Sequence, residues 1–239
     1  MNLENWDRFS YQGAELKLFE HAINWKRYWS AQLMEYLGER VLEVGAGNGA
    51  NTPFLNQRSD RQWVCLEPDE IMASMLTNRL RSQKLPATQV VNGTISSVPL
   101  LPAFDTILYI DVLEHIENDA AEIDEAVKRL TRGGRLIVFG PAHQWLYSPF
   151  DRSIEHFRRY SMRALRALTT PELRLTAIKQ VDSIGILASL ANRLTLRQEL
   201  PSLSQILFWD RFIVPVSRLV DPLLFYSFGK SIVAVWTRR

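Results

Sequence analysis

Residues 40–49 read Arg-Val-Leu-Glu-Val-Gly-Ala-Gly-Asn-Gly. A short β-rich run ends at Val44, three glycines follow, and a helical pattern begins near Asn51. Glycines at such a junction let the backbone turn sharply and bring its N–H groups against a ligand. Working outward, Trp63 to Glu67 reads as a second strand, and residues 71–85 are helical in pattern up to Pro86. Gln89-Val-Val gives a third strand and Phe104 to Ile110 a fourth. A helix over 119–130, stopped by Thr131-Arg-Gly-Gly, precedes a fifth strand from Arg135 to Phe139. Strands alternating with helices predict βαβ units and a parallel sheet. Leu173 to Val181 and Ser231 to Thr237 supply the last strands, with a mostly helical pattern between them. The fold class is therefore α/β: a seven-stranded, mostly parallel sheet with helices on both faces. A helical insertion precedes the last strand, and one strand near the carboxyl end runs antiparallel. Ahead of the sheet, residues 14–37 place apolar side chains at helical intervals and predict one helix, ended by Gly38.

The chain has 239 residues, 46% of them hydrophobic and 23% charged, which suits one domain with a buried core and excludes disordered, collagen-like and coiled-coil chains. One domain over 1–239 is expected. It divides into an N-terminal helical cap (1–39), a core that carries the glycine loop (40–142) and a last part with a long loop, the helical insertion and the final strands (143–239). A single cysteine, Cys65, excludes a disulfide framework or a zinc site of several thiolates, and fits a reducing cytoplasm. Met1 to Asp7 lacks the basic head and apolar run of a signal peptide. No uncharged apolar stretch reaches the roughly 18 residues needed to span a bilayer. Charge is uneven: residues 1–151 carry 14 Lys/Arg against 20 Asp/Glu, and residues 152–239 carry 14 against 6, that is −6 and +8. A basic last third can face an anionic substrate, a membrane surface or an acidic partner, or simply solvate helix faces.

Alone, the glycine loop leaves two readings open. Gly45-x-Gly47-x-x-Ala50 also fits a dinucleotide fingerprint, and in either case Glu67, ending the second strand, can accept hydrogen bonds from ribose hydroxyls. Three features divide them. Glu43 stands two residues before the first glycine, the fourth strand runs into Ile110-Asp-Val-Leu-Glu-His-Ile116, and Gly133-Gly134 precedes the fifth. No Tyr-x-x-x-Lys pair of a dehydrogenase occurs, since Tyr109, Tyr147 and Tyr160 are followed four places on by Leu113, Asp151 and Ala164. As a set, the features over residues 40–142 resemble class I S-adenosylmethionine-dependent methyltransferases, in the branch with an Asp-Val-Leu-Glu-His run.

That resemblance implies a Rossmann-like sheet and S-adenosyl-L-methionine as cofactor. It places Gly45, Ala46, Gly47 and Gly49 against the methionine part, with Glu43 beside them and Glu67 on the ribose. Pro68 or Asp69 would flank the adenine, and Gly93, Thr94 and Ile95 would contact the base. Asp111 and Val112 would lie beneath the methionine and the transferring methyl. The sulfonium is already activated, so the protein has mainly to align acceptor, methyl and sulfur, and to remove a proton where the acceptor is a hydroxyl.

Catalytic groups are then expected on the loops after the fourth and fifth strands. The first holds Glu114 and His115. With Asp111 these are metal-ligand types, but nothing in the spacing demands an ion and no metal is predicted. The second, residues 141–161, is long, aperiodic and dense in His, Tyr, Asp and Arg, which marks a functional loop. Its His156-Phe-Arg-Arg-Tyr160 resembles a Gly-His-x-Arg-Arg-Tyr run of bacterial methyltransferases, some found with surface-glycan or lipid-linked sugar pathways. Glu155 stands where that pattern has glycine. His143 and His156 are the base candidates, ahead of His115, because their loop should meet the acceptor. Trp145, Tyr147, Asp151, Arg158, Arg159 and Tyr160 are the candidate acceptor contacts, with Trp145, Tyr147, His156 and Tyr160 as pocket wall. Arg158 and Arg159 can instead pair with Asp151 or Glu155 and staple the loop.

The aromatic-rich insertion around 185–228 can cover the acceptor site, form a dimer face, touch a membrane surface or pack on the sheet. The function expected is methyl transfer to an oxygen of a small-molecule or lipid-linked acceptor, by a cytoplasmic enzyme with peripheral membrane contact as an option. An NAD(P)-dependent oxidoreductase and a non-catalytic S-adenosylmethionine-binding protein are the alternatives. Nucleic acid is not expected: Asp111-Val-Leu-Glu replaces the Asn/Asp-Pro-Pro-Tyr/Phe run of amino-directed nucleic-acid enzymes.

Overall fold

In the computed structural model, the strand that ends at the glycine loop lies near the middle of a seven-stranded sheet. The structure describes residues 14–83, 85, 88–191 and 199–239, so residues 1–13 of the expected cap, Met1 to Asp7 among them, and the helix-ending Pro86 lie outside the described residues. The strands are β1 (Arg40–Val44), β2 (Gln62–Glu67), β3 (Thr88–Asn92), β4 (Phe104–Ile110), β5 (Leu130–Pro141), β6 (Leu173–Val181) and β7 (Ser231–Arg238). Their order is β3-β2-β1-β4-β5-β7-β6. The first five pair in parallel, and β7 enters antiparallel between β5 and β6. β5 begins five residues before the expected Arg135, at Leu130: the Gly133-Gly134 pair is an irregularity inside the strand rather than a stop before it.

Both faces are apolar, and the pleat sorts side chains by parity. Val41, Leu108, Ile110, Ile137, Phe139, Val233 and Val235 face one core, together with Trp25, Trp29, Trp63 and Trp209. Leu42, Val44, Ile107, Tyr109, Leu136, Val138, Ala234 and Trp236 face the other. Glu43 shares the parity of Val41 and is turned into the first core. There its Oε2 accepts from Trp63 Nε1 at 2.8 Å, Thr52 Oγ1 at 3.0 Å and Cys65 Sγ at 3.7 Å. Burial pushes this carboxyl up to about 7 despite those donors. Glu43, expected beside the cofactor, is thus tied to Thr52, Trp63 and Cys65 inside the core.

The single helix expected over residues 14–37 is broken into Ala14–Phe19, Ile23–Ala31 and a short turn at Met34–Tyr36. The cause lies far away in sequence. Asp210, in the insertion, accepts from the Asn24 and Trp25 N–H groups at 3.2 and 2.8 Å, satisfying the first turn of the second helix. Asp221 accepts from Tyr28 Oη at 2.6 Å and from the Asp182 and Ser183 N–H groups. Two buried acids therefore fasten the insertion to the N-terminal helices and to the end of β6. Among its described residues the insertion has the helices Gly185–Ala191, Leu203–Phe208 and Val214–Leu223, with a π-turn at Trp209–Ile213 joining the last two.

Candidate active site

The glycine turn gathers the carboxyl ends of β1, β2 and β3. Gly45 has φ +67°, and a Cβ there would lie 2.6 Å from Val112 Cγ2, so Val112 packs directly beneath the turn. The Ala46 N–H donates to the Leu66 carbonyl at 2.9 Å, and the Gly47 N–H to Glu67 Oε2 at 2.7 Å. Glu67 Oε1 accepts from the Asp69 N–H at 3.0 Å, and the Gly93 N–H donates to the Glu67 carbonyl at 3.0 Å. Burial raises the Glu67 carboxyl, and each of its oxygens still has lone pairs to offer a ligand. Asp69 caps the Glu70–Ser82 helix by accepting from the Met72 N–H at 2.8 Å.

From this turn a cavity of about 870 Å³ extends along the sheet edge to the loop after β5, with the insertion on its far wall. Of the residues singled out from sequence, Gly45, Ala46, Gly47, Asp111, His115, Asp151, His156 and Arg159 line it. Asp111 takes φ +54°, a left-handed backbone held at the end of β4 by its N–H donating to the Phe139 carbonyl at 2.8 Å. Burial pushes its carboxyl up to about 7, and the Lys230 charge opposes this.

The loop after β5 is closed at its base: the Tyr160 N–H donates to the Pro141 carbonyl and the His143 N–H to the Tyr160 carbonyl, each at 2.8 Å. Asp151 holds its centre. Oδ1 lies 3.1 Å from His156 Nδ1 and 2.7 Å from Arg159 Nε. Oδ2 accepts from Arg159 Nη2 at 2.9 Å and from the Ser148 N–H at 2.8 Å. Burial pushes the Asp151 carboxyl upward, but the hydrogen bonds from His156 and Arg159 together hold it down at about 2. The other ring nitrogen of His156, Nε2, is 3.8 Å from Glu114 Oε1. Both oxygens of that carboxylate are buried without a hydrogen-bond partner, and burial, then the neighbouring Asp111, pushes it well above the carboxylate range. The His115 ring packs edge-on against His156, with centroids 4.5 Å apart. Burial and His156 push His115 down to about 3, so it is neutral near pH 7. Glu155 takes φ +61°, the left-handed conformation for which the resembling pattern has glycine.

Several expected wall residues lie elsewhere. His143 leaves the cavity wall: its ring is wedged between Trp145 and Phe228, at centroid distances of 5.4 and 5.3 Å. Trp145 is therefore a partner of His143 and not a wall residue. Tyr147 Oη donates to the His156 carbonyl at 2.6 Å, and Tyr160 Oη lies 2.9 Å from Asp119 Oδ2, so both phenols are used inside the loop's own framework. Arg158 turns outward to the Glu117 carbonyl and Asp119, each at 2.7 Å. Gly49 is not on the wall either: a Cβ there would meet Leu76 Cδ1 at 2.6 Å, so it lets the Glu70–Ser82 helix approach the turn. Glu67, Pro68, Asp69, Gly93, Thr94 and Ile95 lie beside the cavity along the ends of β2 and β3, and Val112 beneath it.

Two lysines on the wall were missed. Lys26 lines the glycine-loop end, and burial lowers it to about 8. Lys230, just before β7, has Nζ 3.4 Å from Asp182 Oδ2 and 3.7 Å above the Trp209 ring centroid. Nothing in the local sequence of either marks it; only the tertiary fold brings them in. No group of three or more His, Cys, Asp or Glu side chains among the described residues is arranged to hold a metal ion.

The strand order, the glycine turn and the cavity at the carboxyl edge define a class, the Rossmann-like methyltransferase fold. Residues 42–138 match the family model described as "Methyltransferase domain". A demethylmenaquinone methyltransferase of Tropheryma whipplei (strain Twist) is 28% identical over 135 residues, covering 56% of this chain and 55% of the relative. The chain thus spans about half the length of the curated relatives of that name. Among solved structures, geranyl diphosphate C-methyltransferase from Streptomyces coelicolor A3(2), in complex with Mg2+, geranyl diphosphate and S-adenosyl-L-homocysteine, superposes with a TM-score of 0.66 at 13% identity, covering 98% of this chain and 87% of that one. The [4+2]-cyclase SpnF superposes at 0.58 with 15% identity, covering 89% and 81%. At such identities the likeness is one of fold, and function has to be argued from the site.

Proposed function

We propose that this chain is an S-adenosylmethionine-dependent methyltransferase that acts on an oxygen of a small-molecule or lipid-linked acceptor. The observation that carries the reading is the single cavity on which the glycine turn, Asp111 and the Asp151–His156 pair meet. The donor set suits the cofactor's parts. Lys26 stands ready for a carboxylate, Glu67 for two hydroxyls, and the Asp111 carboxylate for a positive sulfur. When bound, the cofactor supplies a methyl group already activated for displacement.

The rest is work for this chain's residues. Residues 40–142 hold the cofactor, and the loop and insertion of 143–239 face the acceptor. Asp151 fixes the His156 ring, and His156 takes the proton of the acceptor hydroxyl. Arg159 keeps Asp151 ionised, and the apolar wall from Phe19, Trp25 and Trp209 keeps water from competing for the methyl.

Calorimetric titration tests the first step. Tight binding of S-adenosylmethionine, with no binding of NAD(H) or NADP(H), is expected; the reverse would make the chain a nucleotide-dependent oxidoreductase. Glu67→Ala should weaken cofactor binding by about 1–3 kcal/mol, because ribose hydroxyls lose a charged partner. Unchanged affinity would move the ribose elsewhere. Labelled product formed from candidate acceptors would separate an enzyme from a protein that only holds the cofactor.

Asp111 makes cofactor affinity depend on pH. In the free protein its carboxyl sits at about 7, raised by burial. A neighbouring positive sulfur favours the ionised form, so below about pH 7 binding has to expel a proton. Affinity should therefore fall by roughly tenfold per pH unit below that point and level off above it. Asp111→Asn should flatten the profile. S-adenosylhomocysteine, whose sulfur is neutral, should show a weaker slope. A flat profile for the unaltered chain would remove Asp111 from the sulfur's surroundings.

A further inference from the structure

The run of helix over residues 203–223 is two-sided. Ile206, Asp210, Val214, Ser217 and Asp221 recur at three- and four-residue intervals and, with Trp209, are buried against the body of the protein. The opposite side exposes Phe208 (58%), Phe212 (55%), Leu219 (73%) and Leu223 (77%), and the turn beyond it exposes Phe225 (90%). Isolated exposed apolar residues are ordinary, but a continuous row of large ones marks a contact surface. Arg211 and Arg218 are exposed on the same stretch. Its two acids are buried and hydrogen-bonded, Asp210 to the Asn24 and Trp25 N–H groups and Asp221 to Tyr28 Oη. The outward face of the run therefore combines large apolar side chains with positive charge only.

Charge chooses the occupant. A two-fold contact with a second copy would set identical arginine-bearing faces against each other. An anionic bilayer would take the apolar row into its interfacial layer and pair the arginines with its headgroups. No helix among the described residues is long and apolar enough to cross a membrane, so the geometry is that of a helix lying along the surface. Phe208 belongs both to this face and to the cavity wall, and Ser204 and Gln205 beside it also line the cavity. The cavity rim and the apolar row are thus continuous.

We propose that this face is a docking surface for anionic lipid bilayers, with Phe208, Phe212, Leu219, Leu223 and Phe225 in the interfacial layer. The contact stands on the surface alone; only the entry of a lipid-linked acceptor past Phe208 rests on the reaction proposed above. Flotation of the full chain with vesicles of phosphatidylcholine, alone or mixed with phosphatidylglycerol, tests it. The chain is expected to float with the mixed vesicles, to be released by salt, and to stay behind with phosphatidylcholine alone. Leu219→Ser with Leu223→Ser should lower the bound fraction at least tenfold, and losing each of Arg211 and Arg218 should lower it about fivefold. Cofactor titration of these variants keeps the two proposals apart, since none touches the glycine turn. Failure of the unaltered chain to float with mixed vesicles would overturn the proposal. So would undiminished flotation of the double leucine variant, or light scattering showing a dimer that the same variant dissociates.

Discussion

Alanine at position 156 should slow methyl transfer to a hydroxyl acceptor by about 10²–10⁴-fold while leaving cofactor affinity unchanged. His156 combines a place on the cavity wall with a carboxylate partner at hydrogen-bond distance, Asp151 Oδ1 at 3.1 Å. An acid on Nδ1 fixes the ring and stabilises the charge that forms when the other nitrogen takes a proton. His115 lines the same cavity, but burial and His156 hold it at about 3, too weak a base to compete near neutrality. His143→Ala should leave turnover near that of the unaltered chain, since its ring is packed between Trp145 and Phe228 off the cavity wall. The measurement is single-turnover transfer with saturating cofactor. Full activity in His156→Ala with a confirmed hydroxyl acceptor would dismiss the base, and a thiol or neutral-amine acceptor would show only a small loss.

What the sequence made legible is what short-range physics controls. The bounds of β4 and the turn at Gly45 to Gly49 follow from apolar runs and glycine clusters, and the structure has them as read; the one antiparallel strand expected near the carboxyl end is β7. Strand parity also carries information: Glu43 shares a sheet face with Val41, which turns its carboxylate into the core. The broken N-terminal helix was not legible, because its interruption depends on Asp210, 186 residues away.

The loop after β5 shows the same limit inside the site. Its composition marked it as functional, but composition does not say which side chains a loop spends on itself. Tyr147, Tyr160 and Arg158 are consumed in holding its shape, through the His156 carbonyl, Asp119 and the Glu117 carbonyl. Arg159 does turn onto Asp151, the stapling arrangement that the pattern left open. Lys26 and Lys230, which supply positive charge to the cavity, come from outside residues 40–142 altogether and reach it only through packing of the first helices and the last strand.

Replacing Asp151 with alanine should be the most damaging single change to the loop, costing about 3–5 kcal/mol of stability, because it strands a buried guanidinium without its partner. Arg159 makes its paired contacts at 2.7 and 2.9 Å to this carboxylate, and the Ser148 N–H and His156 Nδ1 depend on it as well. Asp151→Asn keeps the shape but removes the charge, so a smaller loss and a misoriented His156 are expected, seen as lower turnover with near-normal cofactor affinity. The sign of the pH dependence follows from the lowered carboxyl. It sits at about 2 in the folded chain against 3.8 unfolded, so its contribution is complete above about pH 4 and is lost as the pH falls through 2. Urea unfolding of the unaltered chain and of Asp151→Asn should therefore differ most near neutrality, and the gap should narrow below pH 4. A gap that stayed constant down to pH 2 would mean that packing, rather than the ion pair with Arg159, gives Asp151 its weight.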